Sequence, residues 1–321
     1  RASALLDRYR VPVIATGLAI SLVGGLLVLP AIARRESNAT AAAIGSAGTP
    51  VTLDWRAAKK DIPTLPDCVG KPLSDCTIVS GPGERIVLAG DSNARMWIPA
   101  FEQIARARSM TLIVAAFPDC PWQRDLNYVV GGPQVRSSCH QHQADLYDRV
   151  LPEFAPNIVV LVHQGFDDAV VSRPMTATDG TDIYPGDADY EPDLASASKA
   201  SLDAMRAPGR RVVILEPIPL AAVGYDPLSC ISSGRPLSRC DYRAGKSPTP
   251  LERFYRTAAN GRSVISVDAD KLACPDLPVC QAVVNGVIVK RDSGHLTGTY
   301  ARSVAPQLNA LFQKSGVFAG A

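Results

Sequence analysis

Five short apolar runs alternate with longer amphipathic stretches, and this alternation restricts the chain to few folds. The runs are RIVLAG (85–90), TLIVAA (111–116), NIVVLVH (157–163), RVVILEP (211–217) and SVISVD (263–268). Uninterrupted Val, Ile and Leu residues of this length are typical of strands covered on both faces. The stretches between them have the length and pattern of helices, at 94–108, 144–154, 194–207 and 250–260. The sequence therefore predicts an α/β fold, a three-layer α/β/α sandwich around a mostly parallel sheet.

The last part of the chain departs from this alternation. The segment AVVNGVIVKRD (282–292) has two β-rich runs separated by Asn285-Gly286, which predicts a tight hairpin. A closing helix follows, and Thr297 is its predicted N-cap residue.

Residues 11–33 contain no charged side chain. As a helix, at about 1.5 Å per residue, this run would cross a hydrocarbon core of about 30 Å, and we interpret it as a transmembrane helix. A signal peptide is an alternative, because Ala31-Ile32-Ala33 has the form of a cleavage site. A buried soluble helix is a second alternative. Because the chain starts at Arg1 rather than Met, we expect it to be a piece of a larger product.

All eight cysteines follow the apolar run and fall into four close pairs. The pairs are Cys68/Cys76, Cys120/Cys139, Cys230/Cys240 and Cys274/Cys280. An even number in loop-like, Pro-rich sequence favours disulfides and an oxidising compartment, although sequence alone does not fix the connectivity. A zinc site is the competing interpretation, but no pair has the Cys-x2-Cys spacing of zinc ribbons.

Composition and charge indicate where the domains begin and end and which side of the membrane they face. Basic residues flank the apolar run on both sides, so the cysteines decide its orientation: we expect a cytoplasmic stub at 1–10 and the main domain outside. Residues 34–67 are rich in Ala, Thr, Ser, Gly and Pro, as linkers are, and the folded domain is expected at 68–321. With 46% hydrophobic and 20% charged residues, the chain is predicted to be folded. A net charge of +2 with scattered basic residues argues against nucleic-acid binding.

Gly90-Asp91-Ser92 directly follows the first predicted strand and precedes a predicted helix. In an open parallel sheet, ligands bind beyond the carboxyl ends of the strands, where loops lead into helix N-termini. Ser92 would present its hydroxyl group at this edge, and the following backbone amides would point toward a developing negative charge. By itself the tripeptide fits either a nucleophile or a helix cap.

Asp292 and His295 stand three residues apart in RDSGHLT, between the hairpin and the last helix. A serine hydroxyl needs a base to take its proton, and an imidazole is an effective base only when a partner fixes its tautomer and orientation. Asp292 can be that partner for His295, although a histidine near a helix start is also commonly a cap or a surface group. Because both loops leave the sheet toward the same edge, we predict that Ser92, His295 and Asp292 converge there.

Gly90-Asp91-Ser92 after the first strand, together with Asp292-x-x-His295-Leu296-Thr297 before the last helix, resembles the SGNH hydrolase family. The apolar run, the linker, the Cys-rich loops and the NGVIVKRDSGHLT ending more narrowly resemble the extracytoplasmic SGNH domain fused behind the membrane acyltransferase-3 domain of bacterial envelope enzymes. The resemblance covers 84–321 and implies an SGNH/flavodoxin-like sheet. It also implies Ser92 as nucleophile, His295 as general base and acid, and Asp292 as the partner of His295.

The resemblance further implies an oxyanion hole built from the Ser92 amide, a glycine amide after the second strand and an asparagine after the third. This chain departs from that pattern, because the loop FPDCPW (117–122) has no glycine. In HQGFDD (163–168), the family pattern Gly-x-Asn-Asp would start at Gly165 and put Asp167 at the asparagine position. An ionised carboxylate has no hydrogen to donate. The remaining candidates are therefore backbone amides, Gln164 and His163, with Asp91 as a further residue of the site.

The function implied by the resemblance is serine-dependent O-acyl transfer. An acyl group, acetyl in our interpretation, would pass through an acyl-serine to an envelope carbohydrate or glycolipid. An upstream membrane acyltransferase domain of the same polypeptide would deliver that group, and no cofactor or metal is implied. Two alternatives stay open: a carbohydrate esterase that uses water, and a catalytically weak glycan-binding module. The chain is expected at the cell membrane, with its catalytic domain extracytoplasmic.

Overall fold

The computed structural model describes residues 40–44, 50–129, 131–168, 170, 172–245 and 247–318. The strands are β1 (Thr40–Ile44), β2 (Pro50–Asp54), β3 (Thr77–Val79), β4 (Arg85–Gly90), β5 (Thr111–Ala116), β6 (Asn127–Tyr128), β7 (Ile158–Val162), β8 (Met175–Thr176), β9 (Asp182–Ile183), β10 (Arg211–Leu215), β11 (Tyr242–Arg243), β12 (Val264–Val267), β13 (Val279–Cys280), β14 (Val283–Val284) and β15 (Val287–Ile288). The helices are α1 (Trp55–Lys60), α2 (Ser92–Ala107), α3 (Gly132–Asp145), α4 (Leu151–Phe154), α5 (Tyr190–Met205), α6 (Pro227–Ser232), α7 (Pro250–Ala258), α8 (Asp270–Ala273), α9 (Gly298–Ser303) and α10 (Ala305–Lys314).

A six-stranded sheet forms the centre of the domain, in the order β12-β10-β7-β4-β5-β3. Its strands are parallel except for β3, which pairs with β5 in the antiparallel sense. The five strands predicted from the apolar runs are confirmed. The edge strand β3 is not predicted, because three residues are too few for a recognisable alternation.

Helices cover both faces of this sheet, because successive strand residues point to opposite sides. On one face, Leu88 belongs to a buried cluster with Phe101 of α2 and Phe312 of α10. On the other face, Val87 belongs to a cluster with Tyr255 of α7. The domain is therefore the expected three-layer arrangement, with a mixed but mostly parallel sheet in the middle.

The closing part of the chain follows the prediction. β14 and β15 pair in the antiparallel sense, with Asn285 at φ 50° and Gly286 at φ 77° between them. Positive φ at both central residues is what a type I′ hairpin turn requires. The Thr297 hydroxyl oxygen accepts the Tyr300 N–H at 3.0 Å and so caps α9.

The helix predicted over 144–154 begins much earlier than expected. The helical segment starts at Gly132 with α3 and continues through a π-helical turn, Leu146–Val150, to the end of α4. The first half of this segment is polar and is held to the domain by the disulfide between Cys139 and Cys120. A polar helix held in this way has no apolar periodicity from which its start could be predicted.

Part of the range predicted as a linker, 34–67, is folded onto the domain. β1 and β2 form an antiparallel hairpin, and α1 follows directly. Leu53 is buried against Leu228, and the Asp61 carboxylate accepts the Thr299 N–H at the start of α9, at 2.7 Å. The structure therefore differs from the linker prediction where residues 50–67 are described, because tertiary contacts stabilise segments too short to stand out in composition.

The predicted cytoplasmic stub at 1–10 and transmembrane helix at 11–33 lie outside the described residues. Among the residues that the structure does describe, no helix has both the length and the apolar character needed to cross a membrane.

Four disulfides join the cysteines in the four close pairs noted in the sequence. They are Cys68–Cys76, Cys120–Cys139, Cys230–Cys240 and Cys274–Cys280. Disulfides of this number are typical of proteins in oxidising compartments. They are therefore consistent with a domain outside the cytoplasm.

Candidate active site

Ser92 is the first residue of α2 and follows the carboxyl end of β4. Gly90, the last residue of β4, has a φ of 138°, which residues with a side chain rarely adopt. A Cβ at this position would lie 1.7 Å from the Val162 carbonyl oxygen on β7. Glycine is therefore required for the chain to turn from the central strand into the helix that presents Ser92.

The Ser92 hydroxyl, the His295 imidazole and the Asp292 carboxylate lie in a continuous chain of contacts. His295 Nε2 is 2.7 Å from Ser92 Oγ, and His295 Nδ1 is 2.9 Å from each Asp292 oxygen. The His295 side chain is 24% exposed, so a small molecule can reach it from solvent. The structure thus brings together the three side chains that the sequence predicts to converge.

Asp292 is held in its ionised form. Burial raises the pKa of its carboxyl group, but His295, the Arg291 charge and the Gly294 N–H outweigh burial and lower that pKa well below 3.8. The carboxylate accepts the N–H groups of Gly294 at 2.9 Å and of His295 at 2.7 Å. Because an ionised carboxylate only accepts, it fixes the imidazole proton on Nδ1. His295 Nε2 is then left to accept from the Ser92 hydroxyl.

A tight loop presents Asp292 and His295 together. Its ends pair in an antiparallel bridge between Lys290 and Leu296, and the Arg291 N–H donates to the His295 carbonyl oxygen at 3.0 Å. The Leu296 N–H lies 3.3 Å from Met96 Sδ on α2. The loop is therefore closed on itself and held against the helix that begins with Ser92.

Asp91 is a buried carboxylate that connects α2 to the loop after β7. Its Oδ1 accepts the Asn93 N–H at 2.7 Å, and its Oδ2 accepts the Tyr128 hydroxyl and the Gln164 N–H, each at 2.9 Å. Burial raises the pKa of Asp91, and these hydrogen bonds oppose the rise. At 1% exposure, Asp91 is the N-cap of α2 and supports its neighbours from within the protein.

Gln164 is the predicted oxyanion residue that lies beside the Asp292–His295 loop. Its side-chain Nε2 is 4.0 Å from the position that a Cβ on Gly294 would occupy, and Asp292 Oδ1 is 3.9 Å from the same position. A side-chain amide can donate to a developing oxyanion. Gln164 is therefore a candidate donor beside the Asp292–His295 loop.

His163 points away from this site, which corrects its selection as a candidate donor. It is 1% exposed, with Nδ1 at 2.6 Å from the Gln164 carbonyl oxygen and Nε2 at 2.7 Å from the Tyr255 hydroxyl. Burial lowers the pKa of His163 to about 4, so the ring is neutral near pH 7. Both ring nitrogens are thus used within the core, on the face that packs against α7.

Asp167 has a structural contact, whereas the described residues around Gly165 do not require a glycine. The Asp167 carboxylate accepts the Leu251 N–H at 2.7 Å, at the N-terminus of α7, and burial raises its pKa. A Cβ on Gly165 would meet the side chains of Asp168 and Pro217 at 3.5 Å, an ordinary contact. The Asp167 carboxylate thus accepts a hydrogen bond from α7, and its alignment with the asparagine position stays a prediction.

This arrangement can support nucleophilic attack on a carbonyl group. A neutral His295 can take the proton of Ser92, and the Asp292 carboxylate can stabilise the imidazolium that results. The Ser92 N–H, at the first position of α2, has no acceptor within its own helix and is therefore a candidate donor to a developing negative charge.

Comparison with known families adds to this geometry. The family model for the SGNH domain (fused to AT3 domains) matches residues 61–310. The chain belongs to this SGNH family. The match covers both sequence blocks, the Gly90-Asp91-Ser92 turn and the Asp292-x-x-His295 loop, and confirms the resemblance noted in the sequence. No curated protein matches the chain significantly.

The SGNH domain is also similar to solved structures. The periplasmic domain of a lipopolysaccharide acetyltransferase of Salmonella ser. Paratyphi A is 16% identical, with a TM-score of 0.50, over 76% of this chain and 87% of that chain. An active-site mutant of a family two carbohydrate esterase from Clostridium thermocellum is 13% identical, with a TM-score of 0.42, over 75% of this chain and 66% of that chain. At these identities the similarity concerns the fold alone.

The second loop of the SGNH site lacks the expected glycine, and the structure describes what stands there. Asp119 has a φ of 55°, a left-handed conformation that aspartate tolerates better than most residues. The Phe117 N–H donates to the Gly90 carbonyl oxygen at 2.9 Å, and Pro118 has no N–H. A backbone donor from this loop would therefore have to come from a residue after Pro118.

Three residues around the SGNH site are not predicted from the sequence. Tyr128 contacts Asp91, and no sequence signal marks it. Arg291 Nη1 lies 3.1 Å from Asp292, and its position next to Asp292 in the chain is a signal that could have found it. Lys290 is 1% exposed behind the same loop. Its position at the end of an apolar β-rich run is the sequence signal that could have identified Lys290.

Proposed function

We propose that this SGNH domain is an extracytoplasmic O-acyltransferase that passes an acyl group, acetyl in our proposal, to a carbohydrate hydroxyl of the cell envelope. Ser92 is the nucleophile, His295 is the general base and acid, and Asp292 orients His295. The observation that carries the proposal is the 2.7 Å contact between His295 Nε2 and Ser92 Oγ at the carboxyl edge of the sheet. A serine beside an imidazole whose other nitrogen faces a carboxylate is suited to acyl transfer.

The reaction has two balanced halves. In the first, Ser92 Oγ attacks the acyl carbonyl carbon, its proton moves to His295 Nε2, and the leaving group of the donor departs with that proton. An ester on Ser92 remains. In the second half, a sugar hydroxyl attacks this ester and gives its proton to His295, and Ser92 Oγ takes the proton back as its bond to the acyl group breaks.

Each tetrahedral intermediate has a negatively charged oxygen that needs hydrogen-bond donors. The Ser92 N–H and the Gln164 side-chain amide are the donors that we propose. Losing one such donor costs about 3 to 4 kcal/mol of transition-state stabilisation. Gln164 would thus restore most of what the absent asparagine takes away.

The acyl group is proposed to come from a membrane acyltransferase domain of the same polypeptide. The description of the matching family, as SGNH domains fused to AT3 domains, supports this source. The four disulfides support an oxidising compartment for the domain. We further propose that residues 11–33 cross the cytoplasmic membrane and that an envelope glycan or glycolipid is the acceptor.

The test uses p-nitrophenyl acetate as the acyl donor. Wild type is expected to release nitrophenolate at a rate that falls about 10³-fold or more in His295→Ala. The matched control is His140→Ala, a half-exposed histidine on α3, which should stay close to wild type. Equal rates for wild type and His295→Ala would contradict an enzymatic role and favour a glycan-binding module.

The same assay with an added envelope glycan separates transfer from hydrolysis. Acetylated glycan, detected by mass spectrometry and absent with His295→Ala, is the outcome that the proposal predicts. Acetate as the only product at saturating glycan would instead assign the domain as an esterase.

A further inference from the structure

Lys290 is a buried lysine directly behind the loop that presents Asp292 and His295. It follows β15 in the chain and is 1% exposed, among the most deeply buried large side chains of the described residues. Its backbone forms the bridge with Leu296 that closes the loop. The mechanism above gives this residue no role.

The Lys290 ammonium group joins separate segments of the chain. Nζ donates to the Pro219 carbonyl oxygen at 2.6 Å and lies 3.4 Å from the Ser293 carbonyl oxygen, within the acid-base loop. It also lies 5.4 Å from the centre of the Tyr242 ring, and the Tyr242 hydroxyl donates to the same Pro219 oxygen at 3.2 Å. The segment after β10, the β11 strand and the loop with His295 therefore meet at one nitrogen.

A lysine at this position is costly for folding, so its presence needs a reason. Removing an ammonium group from water is unfavourable unless partners compensate, and an apolar side chain of the same length would fill the space without that penalty. Burial lowers the pKa of Lys290 to about 7, and the negative charges of Asp292 and Asp168 oppose the drop. What an apolar residue cannot supply is a donor to the two carbonyl oxygens.

We propose that Lys290 is a positioning residue, which fixes the Asp292–His295 loop by binding the carbonyl oxygens of Pro219 and Ser293. The proposal rests on the proposed function of Ser92 and His295. The contact between His295 and Ser92 depends on the position of this one loop, since Asp292 and His295 both belong to it. A misplacement of about 1 Å at a catalytic group can cost about 10²-fold in rate. Lys290 thus acts on the reaction through the loop, without touching the substrate.

The central experiment compares Lys290→Met with Lys271→Met, an exposed lysine that serves as the matched control. Lys290→Met keeps the length of the side chain and loses the donors. We expect kcat for p-nitrophenyl acetate to fall about 10- to 100-fold, with KM within about twofold of wild type. Lys271→Met should match wild type in both constants. Lys290→Arg, which keeps N–H donors, should recover at least part of the lost kcat.

A spectroscopic measurement separates positioning from general stability. The downfield proton resonance of His295 Nδ1–H, assigned by its loss in His295→Ala, reports the imidazole-carboxylate contact directly. It should shift or broaden in Lys290→Met and stay in place in Lys271→Met. A folded Lys290→Met protein with the wild-type resonance and the wild-type kcat would overturn the proposal.

Two further outcomes also decide the matter. If Lys290→Met does not fold, Lys290→Leu, which also lacks N–H donors and is smaller, takes its place. A folded Lys290→Leu with unchanged kcat and resonance contradicts the proposal, whereas a loss of kcat with a shifted resonance supports it. If wild type itself shows no His295-dependent turnover, the proposed function fails. The resonance in wild type and variant then still tests the positioning role of Lys290.

Discussion

At the scale of single residues, Gln164 is the proposed substitute for a missing family residue. Its backbone N–H donates to the buried Asp91 carboxylate at 2.9 Å, while its side-chain amide lies next to Gly294 in the acid-base loop. The backbone contact supports the fold, and the side chain is available for chemistry. The two roles can therefore be separated by truncating the side chain.

Gln164→Ala is expected to lower kcat for p-nitrophenyl acetate about 10²- to 10³-fold, as removal of an oxyanion donor does, with stability within about 1 kcal/mol of wild type. Asp167→Asn is the variant to compare with it. Because the Asp167 carboxylate supports α7, its loss should reduce stability while kcat stays near the wild-type value. Urea denaturation and steady-state kinetics measure both. A kcat that is unchanged in Gln164→Ala and raised in Asp167→Asn would reverse the assignment, because Asn at 167 would then supply the missing donor.

At the scale of secondary-structure elements, the turn between β4 and α2 depends on one backbone position. Gly90 lies opposite Val162 in the parallel pair of β4 and β7, and its φ of 138° directs the chain into α2. Both the dihedral angle and the close approach of the Val162 carbonyl oxygen require glycine.

Gly90→Ala is therefore expected to push β4 away from β7, with a loss of stability of about 3 kcal/mol or more and no measurable turnover. The control is Gly209→Ala. Gly209 has a φ of 74° and nothing within 4 Å of an added Cβ, so this change should cost only about 1 kcal/mol. Thermal denaturation compares the two variants. Similar losses for both would show that the close approach to Val162 is unimportant.

The start of α7 contains a second buried acid whose titration affects stability. The Thr249 N–H donates to Glu252 Oε2 at 2.6 Å, and the Glu252 N–H donates to Thr249 Oγ1 at 3.2 Å, which forms a capping box. Burial raises the pKa of Glu252 to about 8. The charges of Asp270, Glu216 and Asp167 add to that rise, while the Thr249 N–H opposes it.

The folded protein thus keeps a proton on Glu252 that the unfolded chain releases near its ordinary pKa of 4.5. Since the folded state binds more protons, stability should fall as pH rises between about 5 and 8. Glu252→Gln keeps an oxygen for the Thr249 N–H and removes the titration, so the loss of stability of this variant over the same pH range should be smaller by about 4 kcal/mol. Urea denaturation at several pH values measures the slopes.

The control for this prediction is Glu153→Gln, whose side chain is 58% exposed. It should keep the pH dependence of wild type. A slope for Glu252→Gln identical to that of wild type would mean that Glu252 titrates normally in the folded protein.

At the scale of the whole molecule, the sequence predicts what local pattern determines. The apolar runs at β4 and β7 require cover on both sides, and Asn285-Gly286 requires positive φ, so the sheet and the hairpin follow from the residues alone. Ser92, Asp292 and His295 also follow, because each motif ends or begins an element at the same edge of the sheet.

The features that could not be predicted from the sequence depend on how distant segments pack. Which side chain of the loop after β7 faces Ser92 is decided by the way that loop turns, and Asp167 and Gln164 cannot be distinguished by spacing. The positioning role of Lys290 cannot be inferred from sequence, because it depends on contacts with Pro219 and Tyr242. The folded segment before Cys68 is likewise fixed by partners far along the chain, such as Thr299.

The four disulfides close loops of 6 to 19 residues, and Cys120–Cys139 closes the longest of them. It joins the loop after β5 to α3 across 19 residues, so replacing both cysteines by serine should cost about 3 kcal/mol and lower kcat. Replacing Cys68 and Cys76, which are 8 residues apart, should cost about 2.5 kcal/mol with kcat unchanged. Urea denaturation and p-nitrophenyl acetate turnover measure both pairs. An equal effect of the two pairs on kcat would contradict this assignment.

The central claim is that Ser92 accepts an acyl group with His295 as its base, and a trapped intermediate tests it most directly. Wild type mixed with p-nitrophenyl acetate and quenched in acid within the first turnover should have one acetyl group, located by peptide mass spectrometry on Ser92. Ser92→Ala should have none, and His295→Ala should acquire it far more slowly. An acetyl group that appears equally on wild type and Ser92→Ala, or on a different residue of wild type, would contradict the account.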